Sequence, residues 1–203
     1  SYGDVHPIVG LGRMLRARGH EVTIVANPHF QPVVESMGAE LVPLGTAQEY
    51  DQLAQNPLLW HPVHGLLLVM KLGIAQNLRA LYALLESHAR PGQTVLVAHP
   101  LDLASRVFQE KQGTPLASAM LAPIMFRSTF ESPQLTGMLT GLWVPSWLER
   151  LQHWLADTLV LDRIVCPVLN PLRKELGLRP VKRAMHQWCF SPQLVLALFP
   201  DWF

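Results

Sequence analysis

Five short apolar runs constrain this chain most: Val22–Ala26, Glu40–Leu44, Thr94–Ala98, Leu116–Leu121 and Leu194–Phe199. Each is bounded by turn residues, and segments with helical periodicity lie between them. A short run of continuous hydrophobicity reads as a parallel strand covered on both faces. Strands that alternate with capped helices predict a doubly wound α/β domain with one parallel sheet and helices on both faces.

The helices are marked by their ends. From Pro7 to Arg18, Ile8, Val9, Leu11, Met14 and Leu15 share one face, and Gly19 follows as C-cap. Phe30–Met37 closes at Gly38, and Leu103–Gln112 stops at Gly113. Gly45–Pro62 reads as a polar loop, followed by a long helix from about Gly65 to His88. Pro123–Pro145 is irregular; two helical segments follow, Ser146–Val165 and Val168–Leu176, interrupted at Pro167 and capped at Gly177. With no internal repeat and no linker, residues 1–203 read as one domain with helical, apolar insertions at about 57–90 and 123–190.

Composition excludes several function classes. Hydrophobic residues are 49% of the chain and charged residues 15%, which favours a sizeable core over disorder. A net charge of +1 supplies no basic field for nucleic acid. Cys166 and Cys189 make no disulfide framework and have no metal-ligand spacing, which predicts a reducing, cytoplasmic setting. The nine histidines are scattered, so no metal site is expected. The longest apolar stretch, Gly65–Ile74, is broken by Lys71 and reads as too short to span a bilayer.

Chemistry-bearing residues gather in two loops. Gly3-Asp4-Val5-His6-Pro7 is expected as a loop feeding the first helix, at the sheet edge where α/β proteins place ligands. Asp4 there is either a general base or the cap of that helix, and the residues alone favour the cap. His6 is a neighbour or pocket residue. His99, after the third apolar run, is expected at the same edge, where it and Asp4 could form a carboxylate–imidazole pair. Asp102 is expected to cap the helix from Leu103. Lys182 and Arg183 near Trp188 read equally as an anion site or a solvated turn.

An apolar set that includes Trp60, Met70, Met125, Phe126, Leu142, Trp143 and Trp147 falls in irregular or inserted segments. Irregular segments usually lie at the surface. The set therefore predicts a pocket for a hydrophobic ligand or a membrane-facing patch, with Trp60, Met70, Phe126 and Trp143 lining one concavity. The alternative is packing of these segments on one another or on a further domain.

Three stretches, Gly3-Asp4-Val5-His6-Pro7, Gly10-Leu11-Gly12-Arg13 and Arg18-Gly19-His20-Glu21-Val22-Thr23, resemble the opening of the N-terminal domain of GT-B glycosyltransferases. The branch is that of sterol glucosyltransferases, glycopeptide-antibiotic glycosyltransferases and the rhamnolipid-forming rhamnosyltransferases. Pro57-Leu58-Leu59-Trp60, Leu161-Asp162-Arg163, Asn170-Pro171-Leu172-Arg173, Gly177–Val181, Gln187-Trp188 and Ser191-Pro192-Gln193 are most similar to the rhamnosyltransferase chain. The resemblance implies the acceptor-binding, N-terminal half of a GT-B fold with its first strand missing. It also implies a C-terminal domain, outside this chain, that holds the nucleotide-sugar. The chain alone is then expected to be inactive.

The resemblance further implies that Asp4 is the base, because the residue after the loop glycine plays that part in the family. His99 falls where the histidine branch carries an aspartate that orients the base, so the dyad is inverted here or absent. The reaction implied is transfer of a hexose, rhamnose or glucose, to a hydroxyl of a hydrophobic or lipid acceptor. No cofactor is implied, and a peripheral contact with the inner face of the membrane is. The competing class is a non-catalytic domain that binds a hydrophobic ligand or a partner. A hydrolase is disfavoured by the lack of a Gly-x-Ser-x-Gly elbow.

Overall fold

The computed structural model describes residues 1–61, 64–123, 126, 138–139, 141 and 143–199. Met125, Leu142 and the stretch 200–203 lie outside the described residues. The chain forms two compact units, Ser1–Leu59 and Trp60–Phe203.

The first unit runs α1 (Tyr2–Ala17), β1 (Thr23–Ala26), α2 (Gln31–Glu35), β2 (Glu40–Pro43) and α3 (Ala47–Ala54). The strands β1 and β2 pair in parallel, with Ile24 opposite Leu41 and Val25 opposite Val42. Val9, Ile24, Val34 and Met37 form the core beneath them. Gly12 is buried in α1 because a Cβ there would come within 3.0 Å of Met37 Cε and 3.3 Å of Val22 Cγ1. Its glycine permits close packing of α1 on Val22 and Met37.

Two expectations are corrected in this unit. The stretch Gly3–Pro7 is helical, not a loop: α1 begins at Tyr2 and carries Pro7 inside it. Asp4, at the third helical position, accepts from the Ser1 hydroxyl at 2.7 Å, which anchors the extra turn. The supposed polar loop contains α3, started by a capping box. Thr46 Oγ1 accepts from the Glu49 N–H at 3.2 Å, and Glu49 accepts from the Thr46 N–H at 2.8 Å.

The second unit runs α4 (His64–Leu68), a π-helical stretch (Val69–Ala75), α5 (Leu78–His88), β3 (Leu96–Ala98), α6 (Leu103–Gln112) and β4 (Leu116–Met120). Then come α7 (Ser146–Ala156), a π turn (Asp157–Leu161), α8 (Asp162–Glu175), a second π turn (Ala184–Trp188) and β5 (Leu194–Ala197). The sheet order is β3-β4-β5, all parallel, and β4 is buried along its whole length. The core joins Leu78, Tyr82 and Leu85 of α5, Leu103, Val107 and Phe108 of α6, and Val165, Leu169 and Leu172 of α8.

The strands are parallel, as the apolar runs predict, but they form two sheets rather than the one expected. Among the described residues, β1 pairs only with β2, and β3 only with β4. Among the described residues each keeps an edge without a strand partner.

Pro167 does not interrupt the helix; α8 runs through Pro167 and Pro171. Burial of Val165, Leu169 and Leu172 outweighs the lost backbone bonds, and the irregularity falls upstream, in the π turn Asp157–Leu161. The helical run His64–His88 agrees with the long helix expected from about Gly65 to His88. By length and composition alone it could cross a membrane. Met70, Ile74, Leu78, Tyr82 and Leu85 along it are buried in the core of this unit.

Side chains from α6 and α8 tie down the segment that leads into β5. Asn170 binds the Val181 backbone twice, at 2.9 and 3.0 Å. Asp162 accepts the N–H groups of Arg183 and Ala184 at 2.6 and 3.2 Å, which holds Arg183 at φ 49°. Arg173, 1% exposed, forks onto Glu110 at 2.7 and 3.0 Å and donates to the Arg179 carbonyl at 2.8 Å. The Trp188 indole donates to Glu110 at 3.0 Å, with the Arg173 and Arg106 guanidinium carbons 4.9 and 5.3 Å from its ring centroid. Ser191 Oγ donates to the Leu116 carbonyl at 2.7 Å, and Gln193 Oε1 accepts from the Leu116 N–H at 2.9 Å.

Candidate functional site

In the first unit the ionisable groups gather around the start of α1. His29 lies in the tight turn Pro28–Phe30 directly after β1, started by Asn27, whose side chain accepts from the His29 N–H at 3.0 Å. His29 Nδ1 contacts Asp51 at 3.0 Å, and its Nε2 lies 3.4 Å from the Tyr2 hydroxyl. Tyr2 stacks on His6 at 5.6 Å between centroids and meets Phe30 edge-on at 5.2 Å. Tyr50 packs on His29 and Phe30. Burial, first, and then Tyr2, Asp4 and Asp51 push the Tyr50 phenol up, so it stays a neutral hydrogen-bonding group.

Asp4 therefore sits beside a partly exposed aromatic cluster and is itself exposed, at 59% of its side chain. His6 lines a groove of about 410 Å³ between α1 and α2, together with Val9, Arg13 and Val33. Sequence reasoning missed His29, Asp51, Tyr2 and Tyr50. A signal for His29 was present: like His99, it follows a parallel strand.

In the second unit His99 follows β3, and its Nδ1 accepts from the Leu101 N–H at 3.2 Å. Asp102 is the N-cap of α6, accepting from the Ser105 N–H at 3.0 Å and the Ser105 hydroxyl at 2.5 Å, as expected. Burial pushes its carboxyl up, and the bonds from Ser105 oppose this. Asp102→Ala is expected to cost about 1 kcal/mol of stability, read as a lower denaturation midpoint in urea, with Asp102→Asn nearly neutral.

The aromatic candidates are dispersed. Trp60 ends a short 3₁₀ turn and is 80% exposed; Trp143 is also exposed. Phe126 lies parallel to Phe190 at 6.1 Å and edge-on to Phe199 at 6.3 Å. Met70 is committed to the core. A second cleft, of about 470 Å³, is lined by Arg106, Lys182, Arg183, His186, Trp188 and Ser191 among others. It gathers the suspected anion-site residues, but Arg183 Nε is bound to buried Asp157 at 3.1 Å and Arg106 lies 3.6 Å from Glu110. Neither groove is lined by Trp60, Met70, Phe126 or Trp143. Among the described residues no group of three or more His, Cys, Asp or Glu could hold a metal ion.

No family model matches the chain. It is 25% identical over 187 residues to an uncharacterized glycosyltransferase of Mycobacterium tuberculosis, spanning 87% of this chain and 41% of that protein. Over 40 residues, 20% of this chain and 10% of the relative, it is 55% identical to the O-mycaminosyltylonolide 6-deoxyallosyltransferase of Streptomyces fradiae. Its fold superposes on the glycotransferase of kitacinnamycin with a TM-score of 0.61 at 23% identity, covering 98% of this chain and 44% of that one. The calicheamicin glycosyltransferase gives 0.55 at 19% identity, covering 95% and 42%. The chain thus has the Rossmann-like parallel α/β fold of the N-terminal GT-B domain, and its sequence is similar to glycosyltransferases. It spans about two fifths of the length of the relatives it matches along most of its own.

Proposed function

We propose that the full-length protein carrying this chain is a glycosyltransferase, and that this chain is its acceptor-binding half. The observation that carries the reading is the GT-B fold extending over 98% of the chain, with sequence similarity to glycosyltransferases over 87% of it. The donor would be a nucleotide-sugar held by a second domain. The acceptor would be a hydroxyl on a hydrophobic or lipid molecule, which the exposed Trp60, Trp143 and Phe126 suit. Met70, buried, would back the site rather than touch ligand. The sugar would be a hexose, rhamnose or glucose, selected by that second domain. A cytoplasmic enzyme at the inner face of the membrane would meet both substrates.

In this reading Asp4 takes the proton of the acceptor hydroxyl as its oxygen bonds to the anomeric carbon. The bond from that carbon to the phosphate oxygen breaks, and the nucleoside diphosphate leaves with the electron pair. His99 and His6 are the imidazoles proposed to tune or share that proton. No cofactor enters.

The test is release of nucleoside diphosphate by the full-length protein, supplied with nucleotide-sugars and hydroxylated lipid acceptors. Acceptor-dependent release is expected. Binding of the acceptor without any release would instead favour a non-catalytic ligand-binding domain. Trp60→Ala and Phe126→Ala are each expected to raise the acceptor KM several-fold more than the donor KM. Equal effects on both would remove these side chains from the acceptor site.

A further inference from the structure

Helix α7 and the π turn after it are built inside out. On their outer side stand Trp147, Leu151, Trp154, Leu155, Leu159 and Val160, with Trp147 60% and Trp154 46% exposed. Arg150 and Arg163 are exposed in the same segment. Its three acids face the other way: Glu149 and Asp157 are buried, and Asp162 is taken up by the Arg183 and Ala184 backbone. Asp157 also pairs with Arg183. The π turn Asp157–Leu161 continues the helix without a break into α8, so the exposed Leu159, Val160 and Arg163 follow directly on Trp154 and Leu155. Exposed Leu139 is fixed against this helix, because Gln152 exchanges hydrogen bonds of 2.8 and 3.1 Å with its backbone.

We propose that this face of α7 and its π turn docks on an anionic lipid surface. Apolar side chains with two indoles, interrupted only by guanidinium groups, match an interfacial helix that sinks its apolar face to the acyl boundary. Arg150 and Arg163 decide between occupants. A protein partner would have to bury two cations and supply carboxylates to match them. An anionic headgroup layer offers negative charge at the depth where arginine stems snorkel out of the apolar zone. The inference deepens the membrane placement of the proposed function, on which it rests, by naming the docking face and the lipid charge it takes; its readout does not depend on sugar transfer.

The test is flotation of the full-length protein with vesicles of phosphatidylglycerol and phosphatidylcholine, against pure phosphatidylcholine. The protein is expected to float with the anionic vesicles, weakly with the neutral ones, and less at high salt. Trp147→Ser/Trp154→Ser and Arg150→Glu/Arg163→Glu are each expected to lower the vesicle-bound to free ratio at least about tenfold. Both pairs are solvent-exposed, and an unchanged thermal melt verifies folding. Three outcomes overturn the proposal: failure to float with anionic vesicles, equal salt-insensitive binding to both vesicle types, or both double variants floating like the parent. Failure to float, combined with a dimer that the Trp147→Ser/Trp154→Ser variant loses, would assign the face to a second copy of the chain. The readout needs no donor or acceptor, so it succeeds or fails independently of the transfer assay.

Discussion

Asn in place of Asp4 is expected to lower kcat for sugar transfer by the full-length protein at least about a hundredfold, the low end of what a positioned base contributes. A hydroxyl is a poor nucleophile until its proton is removed, and Asn keeps the shape of the side chain without its basicity. Folding should survive, because Asn can still accept the Ser1 hydroxyl bond made at the start of α1. Donor binding should survive as well, so the loss should fall in kcat rather than the donor KM. Near-normal turnover would leave Asp4 as a helix-start residue and send the search to His29, held by Asp51 beside the same cluster. His99→Ala is expected to cost less than Asp4→Asn. A larger loss would make the imidazole the base and Asp4 its orienting partner.

Glu110→Ala is expected to destabilise the protein by about 3 kcal/mol, toward the low end for breaking a buried ion pair because Glu110 keeps some contact with water. The variant would strand the Arg173 guanidinium, 1% exposed, with Arg106 nearby and no carboxylate between them. It would also remove the acceptor of the Trp188 indole. Urea denaturation reads the loss as a lower midpoint with an unchanged slope. The double variant Glu110→Met/Arg173→Met should recover much of it, since no charge is then buried alone. A fully additive double variant would show that the pair is not coupled.

The same pair sets a pH dependence. The Arg173 hydrogen bonds, with help from Trp188 and the nearby cations, hold the Glu110 carboxyl below its ordinary value of 4.5. A lowered carboxyl binds fewer protons in the folded state than in the unfolded one. Its contribution is therefore complete above the ordinary value and is lost as pH falls through the folded one. Acid should erase the stability difference between the parent and Glu110→Ala, starting below about pH 4.5.

Local signals were legible in the sequence because their physics acts within a few residues. Leu103–Gln112 is the helix between Asp102 and Gly113, since both cap interactions are made by neighbours. The five parallel strands fall on the five apolar runs, trimmed by a residue or two at their ends. The capping box Thr46–Glu49 was equally local and equally readable, and it marks the helix hidden in a supposed loop. Of the candidate site, Asp4, His6 and His99 came from position relative to strands. The partners of His29 did not, because Asp51 and Tyr2 reach it only through folding, from 22 and 27 positions away.

The residues Asp162, Asn170, Arg173, Trp188 and Ser191–Gln193 stood out by resemblance alone, and the sequence offered no physical reason for them. Tertiary structure supplies one: they latch the segment before β5 onto α8, α6 and β4. Arg173 finds Glu110 from 63 positions away, and Arg106 finds the Phe190 carbonyl from 84. The sequence by itself determined the elements, their parallel α/β class and their caps, all matters of periodicity and of neighbours three or four residues apart. Only the tertiary structure decided which strands share a ladder, that Pro167 stays within a helix and that the acids of α7 turn inward. Each of those depends on what distant chain segments offer a side chain in exchange for water.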